Sequence, residues 1–258
     1  MSFSDDEIER YARHLVLAEV GGPGQQRMAA ARVGLVGLGG VGAPAALYLA
    51  AAGVGTLRLI DDDVVALSNL QRQIAFGTAD VGRRKVEAGA EALAALNPHV
   101  RVEPLAERLT GVNAARLIAG CDVVIDGTDD FPTRFAVNAA CVAAGVPLVS
   151  GALGRWSGQV GVFAGRPCYR CLVADTPPDA ETCARLGVIG ALAGVVGSMT
   201  ALEAIKLVTG AGEALNGRLL IYDGLAGTAR TVRIAPDPAC PVCGPVCGPV
   251  CGPVCGDA

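Results

Sequence analysis

Arg-Val-Gly-Leu-Val-Gly-Leu-Gly-Gly-Val-Gly, residues 32–42, is an apolar run that ends in Gly37, Gly39 and Gly42. This is the G-x-G-x-x-G spacing of a nucleotide-binding turn. Gly37 permits the tight turn, Gly39 lets the backbone approach a pyrophosphate, and Gly42 allows close helix–strand packing. The Ala-rich segment that follows, Pro44 to Ala52, predicts a helix. Thr56 to Ile60 then predicts a second strand that ends at Asp61, nineteen positions beyond Gly42. A carboxylate at that distance suits a ribose hydroxyl. A nucleotide site follows from these residues; its chemistry depends on what comes later in the chain.

Outward from this unit the pattern alternates. Strands are predicted at 32–37, 56–60, 100–105, 122–126 and 146–150, and helices at 42–52, 82–96, 112–119 and 133–144. Such alternation specifies an α/β fold, a Rossmann-like, mostly parallel central sheet flanked by helices. Asp-Val-Val-Ile-Asp at 122–126 reads as a strand covered on both faces. Before the core, residues 5–18 read as an amphipathic helix, 22–24 as a Gly-Pro-Gly loop and 25–31 as a short helix. Beyond Gly151 come antiparallel C-terminal strands at 159–163, 218–222 and 228–234. Between them lie a Pro- and Asp-rich loop at 174–181 and an apolar helix near 191–208. The chain divides into a domain over 1–239 and a tail over 240–258, in which Pro-Val-Cys-Gly occurs four times in tandem.

A hydrophobic fraction of 52% against 18% charged residues excludes global disorder. The net charge of −4 argues against a nucleic-acid partner, which clustered Lys and Arg would bind. The acidic N-terminal segment is unlike a signal peptide. The uncharged run from Leu186 to Leu202 holds four glycines, is short for a bilayer and reads as a buried helix, not a membrane span. With ten cysteines and no secretory signal, the expected location is cytoplasmic, and the cysteines are expected to bind metal or catalyse.

Asp61 is followed by Asp62 and Asp63, then Ser-Asn-Leu-Gln-Arg-Gln at 68–73, then Arg84 and Lys85 at a helix start. Asn69, Arg72 and Lys85 below a phosphate-binding turn imply phosphoryl or nucleotidyl chemistry, where positioning and charge neutralisation dominate. Hydride transfer has no clear use for them. As isolated residues they also read as solvated loop and helix-start groups.

Taken with the run from Arg10 to Gln26, Asp-Gly-Thr-Asp-Asp at 126–130, Cys168-x-x-Cys171 and Thr182-Cys183, these motifs make the chain resemble the MoeB/ThiF-type adenylyltransferases, relatives of the ubiquitin-activating enzymes. The resemblance extends to Cys243. It implies ATP-dependent adenylylation of the C-terminal Gly-Gly carboxylate of a ubiquitin-like sulfur-carrier protein, followed by thiocarboxylate formation. It implies ATP and Mg2+ as cofactors and a homodimer. Gly39 and Gly40 would approach the phosphates, Asp61 the ribose, and Asn69, Arg72 and Lys85 the phosphate chain. Arg13 matches an arginine supplied to the other subunit's site; its plainer reading is a surface ion pair. Asp129 matches the acidic residue that positions magnesium or the adenylate, with Arg134 and Asn138 orienting groups behind it. Where relatives commonly read Cys-Thr-Asp-Asn, this chain reads Gly127-Thr128-Asp129-Asp130. Asp130 would either help hold magnesium or weaken ATP binding. No rhodanese segment follows, so a separate sulfur donor is expected.

Cys168-Tyr-Arg-Cys171 and Cys240-Pro-Val-Cys243 are two C-x-x-C hairpins, a ligand set for a tetrahedral structural Zn2+ that the resemblance supports. A redox dithiol is the competing reading, disfavoured because neither pair opens a helix on a thioredoxin-like unit. Cys247, Cys251 and Cys255 read as an expansion of the Cys243 unit rather than a second metal site. The resemblance gives Cys183 a covalent role toward the carrier, with plain packing as its equal rival. Cys121 and Cys141 read as packing residues. Two other functions stay open at this stage. One is an NAD-dependent oxidoreductase. The other is a non-catalytic nucleotide- and zinc-binding scaffold, which Asp130 mildly favours.

Overall fold

The computed structural model describes residues 3–178 and 187–244. Cys183 and the repeat cysteines at 247, 251 and 255 fall outside the described residues. Eight strands form one sheet: β1 (Arg32–Val36), β2 (Thr56–Ile60), β3 (Arg101–Leu105), β4 (Val123–Asp126), β5 (Leu148–Leu153), β6 (Ser157–Phe163), β7 (Arg218–Asp223) and β8 (Thr228–Arg233). Their order is β3-β2-β1-β4-β5-β6-β7-β8. The first five run parallel, and β6 to β8 are antiparallel additions.

Two apolar layers cover the sheet because side chains alternate along each strand. Val33 and Leu35 join Leu57 and Leu59 beneath α4 (Gly42–Ala52), α5 (Lys85–Leu96) and the long helix Gly190–Thr209. Val36 and Val124 face the opposite layer, with Val137, Cys141, Phe163 and Tyr169. That layer contains α6 (Ala114–Leu117), α7 (Phe131–Ala144) and α8 (Tyr169–Leu172), so the long helix is α9. Helix α9 is apolar and long enough to cross a membrane. Here it packs on α4, β5 and β6, with Ala193 and Val196 fully buried. Cys121 and Cys141 are buried as expected, and burial pushes the Cys141 thiol up to about 12, leaving it unreactive.

Two N-terminal expectations need correction. The helix over 5–18 is broken into α1 (Asp5–Arg10) and α2 (Ala12–Leu15) at Tyr11. Tyr11 is buried, and its hydroxyl accepts from the Asn97 amide at 2.9 Å. The loop expected at 22–24 is instead the first turn of α3 (Gly21–Ala30). A proline is tolerated there because first-turn N–H groups have no intrahelical partner to lose. The helix expected from 82 starts only at Lys85. Val64 bridges an extended Arg84, Gly82 turns at φ +90°, and the Lys85 N–H donates to the Asp63 carbonyl, so the helix cannot begin before Lys85.

Candidate active site

Val36 lies in register with Ile60 on one side and Asp126 on the other. The residues that follow, Gly37, Asp61 and Gly127, therefore emerge together at the carboxyl edge. The chain leaves β1 toward β2 on one side, and β4 lies on the other. This divergence is where open α/β sheets bind ligands. A cleft of about 490 Å³ lies here.

The three glycines divide their work as their spacing implies. Gly37 has φ +83°, and a side chain there would press on the Gly127 backbone at 3.1 Å. A Cβ at Gly42 would sit 1.9 Å from the Gly37 carbonyl oxygen, so α4 starts directly against the turn. Gly39 has open space, with nothing nearer than the Gln73 amide at 3.8 Å. That gap leaves the backbone accessible to a ligand. No side chain caps the N terminus of α4, whose N–H groups suit a phosphate.

Asp61 accepts from the Leu38 N–H at 2.7 Å and the Asp63 N–H at 2.8 Å, and so braces the glycine turn. Burial raises its proton affinity, opposed by the nearby Lys85 charge and these N–H groups. Lys85 is 5% exposed, and its Nζ meets Asp63 Oδ2 at 2.8 Å. Asn69 closes a short 3-10 turn by accepting the Ala66 N–H at 3.0 Å. Its own carbonyl accepts the N–H groups of Arg72 and Gln73. This helical turn puts positions 69, 72 and 73 on one side, all lining the cleft. The Arg72 stem runs beside Gly40, 3.5 Å from where a Cβ would stand.

The turn after β4 carries Asp129 and Asp130 in different roles. Asp129 is exposed to the cleft and makes no hydrogen bond or ion pair among the described residues. Asp130 caps α7, accepting the Thr133 N–H at 2.9 Å, and pairs with Arg108 at 3.4 Å. The departure at this position thus places a helix-capping carboxylate where an amide would cap equally well. Behind the turn, Arg134 is 6% exposed. It reaches Asp126 at 3.4 Å, Ser150 Oγ at 3.2 Å, the Gly151 carbonyl at 3.1 Å and the Thr128 carbonyl. Burial disfavours its charge, and the combined pull of Asp126, Tyr169 and Asp129 outweighs that effect.

Next to α7 the four sulfurs of Cys168, Cys171, Cys240 and Cys243 lie within 4.8 Å of one another. Cys168 is 3.7 Å from Cys240, and Cys171 is 3.4 Å from Cys243. These gaps exceed a disulfide bond by far. Zn–S bonds of about 2.3 Å in a tetrahedron require sulfurs about 3.8 Å apart, so the cluster fits a tetrathiolate zinc. The Asp237 N–H points at Cys171 Sγ, and the Asn138 amide at Cys168 Sγ. Cys168 is the N-cap of the single turn α8. The helix is too short, and the strand before it runs antiparallel, so no thioredoxin-like unit results.

The cleft gathers Gly37, Gly39, Gly40, Asp61, Asn69, Arg72, Lys85 and Asp129. Gly42 lies just under it. Arg13 does not line it; it is exposed on α2 and makes no ion pair among the described residues. Sequence reasoning passed over Gln73, 3% exposed, whose Oε1 is buried without a partner at the cleft wall. Its helical spacing from Asn69 was the available signal.

The model of the ThiF family matches residues 11–242. This chain belongs to the ThiF family. It is 47% identical over 247 residues to the SAMP-activating enzyme E1 of Haloferax volcanii, covering 95% of this chain and 92% of that one. It is 45% identical over 253 residues to the sulfur carrier protein adenylyltransferase of Thermus thermophilus, covering 95% and 93%. With the molybdopterin-synthase adenylyltransferase of Escherichia coli strain K12 it shares 45% over 244 residues, covering 93% and 98%. The crystal structure of Escherichia coli MccB with MccA-N7isoASN superposes with a TM-score of 0.82 at 22% identity, over 94% of this chain and 76% of that one. At that identity the likeness concerns the fold alone. The ThiF fold accounts for a detail the motifs left open, namely why the Asp129 turn stands beside the glycine turn: β4 is the direct neighbour of β1.

Proposed function

We propose that this ThiF-family enzyme adenylylates the C-terminal Gly-Gly carboxylate of a ubiquitin-like sulfur-carrier protein with ATP, preparing it for thiocarboxylate formation. One observation carries the reading: Asn69, Arg72, Lys85 and Asp129, which makes no hydrogen bond or ion pair among the described residues, converge on one cleft beneath an uncapped helix N terminus. A carboxylate is ionised at neutral pH, so attack on the α-phosphorus needs no general base. The chain instead aligns the reactants and neutralises charge. Arg72 and Lys85 would hold the phosphates, Asn69 would orient them, and Asp61, already bracing the turn, retains lone pairs for a ribose hydroxyl. Asp129 would hold Mg2+, which stabilises the departing pyrophosphate when bound. The names of the relatives support a sulfur carrier as substrate, and our reading has the reaction take place in the cytoplasm. Asp130, the residue that favoured a scaffold, is committed to capping α7.

Carrier-dependent ATP–pyrophosphate exchange in magnesium is the expected activity. ATP binding without exchange, across Gly-Gly-ended carriers, would move the scaffold reading to the front.

Arg13, exposed and without an ion pair among the described residues, would act across a homodimer. Inactive Arg13→Ala and Asp129→Ala proteins, once mixed and reassociated, are then expected to recover up to about a quarter of wild-type exchange, from the one intact composite site of the mixed dimer. Mixtures that stay inactive would refute the arrangement in trans.

A further inference from the structure

Helix α7 meets the cleft with its first turn and the cysteine cluster with its second. Arg134 holds the Thr128 and Gly151 carbonyls at the cleft. One turn later Asn138 is fully buried. Its Nδ2 lies 3.6 Å from Cys168 Sγ, and its Oδ1 accepts the Tyr169 N–H at 2.8 Å. The Tyr169 ring returns to the cleft, its centre 6.0 Å from the Arg134 guanidinium carbon. Phe163 packs edge-on against that ring at 5.6 Å, which limits where the ring can go. A continuous path of contacts therefore runs from a sulfur of the four-cysteine cluster to the turn that carries Asp129.

We propose that occupancy of the four-cysteine centre sets the conformation of the Gly127–Asp130 turn, and with it nucleotide affinity, through Asn138, Tyr169 and Arg134. Asn138 is a positioning residue: its N–H stabilises the Cys168 thiolate and fixes its direction, as outer-shell donors do. A bound metal pins Cys168, which pins the Tyr169 backbone and ring, and the ring forms one wall of the Arg134 site. Without metal, no bond ties Cys168 and Cys240, 3.7 Å apart, or Cys171 and Cys243, 3.4 Å apart, to a common centre, and that wall loses its anchor. The nucleotide half of this proposal rests on reading the cleft as an ATP site; the metal half does not.

The test begins with the zinc-loaded full chain and a chromogenic chelator. Asn138→Ala and Asn138→Asp both remove the donor to sulfur, and the second keeps an acceptor for the Tyr169 N–H. Both are expected to release zinc about 10- to 100-fold faster than wild type. Unchanged release, or acceleration in Asn138→Ala alone, overturns the role of Asn138. ATP affinity is then measured by equilibrium dialysis on loaded and stripped protein, with circular dichroism to follow the fold. Stripping is expected to weaken ATP binding severalfold in wild type and Tyr169→Phe, but not in Tyr169→Leu, which lacks the ring. Equal affinities in loaded and stripped wild type overturn the coupling. If stripping unfolds the chain, loaded Asn138→Asp decides: weakened ATP binding supports the coupling and wild-type affinity refutes it. Loaded wild type that binds no ATP would sink the reading of the cleft, while the zinc-release result stands by itself.

Discussion

Exchanging Asp129 for alanine is expected to lower carrier-dependent ATP–pyrophosphate exchange by about 10³-fold while leaving the melting temperature nearly unchanged. Asp129 is exposed at the tip of the turn and bonds to no other described residue. Its removal strands no buried donor, and a surface change of this kind costs within about 0.5 kcal/mol. The activity loss follows from removing a preorganised charge at a site of developing negative charge, where single groups contribute about 10²- to 10³-fold and metal positioning adds to that. Exchange kinetics and a thermal melt on one preparation decide the matter. Near-normal exchange would remove Asp129 from the mechanism, and a collapsed melt would make its role structural.

Three residues earlier, the opposite outcome is expected. Asp126→Ala should destabilise the chain by about 3–5 kcal/mol, the cost of leaving a buried charge without its partner. Asp126 is fully buried. One carboxylate oxygen accepts the Thr128 N–H at 3.0 Å and the Thr128 hydroxyl at 2.7 Å. The other accepts the Ser150 hydroxyl at 3.0 Å and faces the Arg134 guanidinium at 3.4 Å. Alanine removes the acceptor that these four donors share, and Arg134, 6% exposed, keeps its contacts to Ser150, Thr128 and Gly151 but loses its counter-charge with nowhere to solvate. Urea unfolding of wild type and variant measures the difference directly. A loss below about 1 kcal/mol would mean that water or relaxation satisfies Arg134, and would weaken its assignment as the brace of the Asp129 turn. The pair separates a carboxylate that the fold needs from one that the chemistry needs, within a single turn.

These two aspartates also mark how far the sequence could be read. Asp126 and Asp129 are both acidic residues near the end of an apolar strand, and nothing local distinguishes a buried brace from an exposed ligand. Resemblance singled out Asp129; burial, which depends on β5 and α7 closing over Asp126, assigned the other. Asp130 is similar. Its charge raised doubt in the sequence, and its function as a helix cap became visible only when the Thr133 N–H was found on its carboxylate. Gln73 escaped notice because an unpartnered buried oxygen is a property of packing.

What the sequence alone determined was whatever local physics controls. The span of α4 at 42–52 and of β2 at 56–60 follows from apolar continuity and the glycines at either end. The tight glycine turn follows from φ +83° at Gly37, a conformation favoured only without a Cβ. Only the tertiary structure decided what long-range pairing and burial control. It broke the N-terminal helix at Tyr11, whose ring had a core to enter. It set β4 beside β1, bringing Asp129 to the glycine turn across some ninety residues of chain. It also joined two C-x-x-C pairs 72 positions apart and linked them to the cleft through α7. Closing loops of that length costs entropy that no local signal records, and the sheet and its two apolar layers supply the energy that repays it.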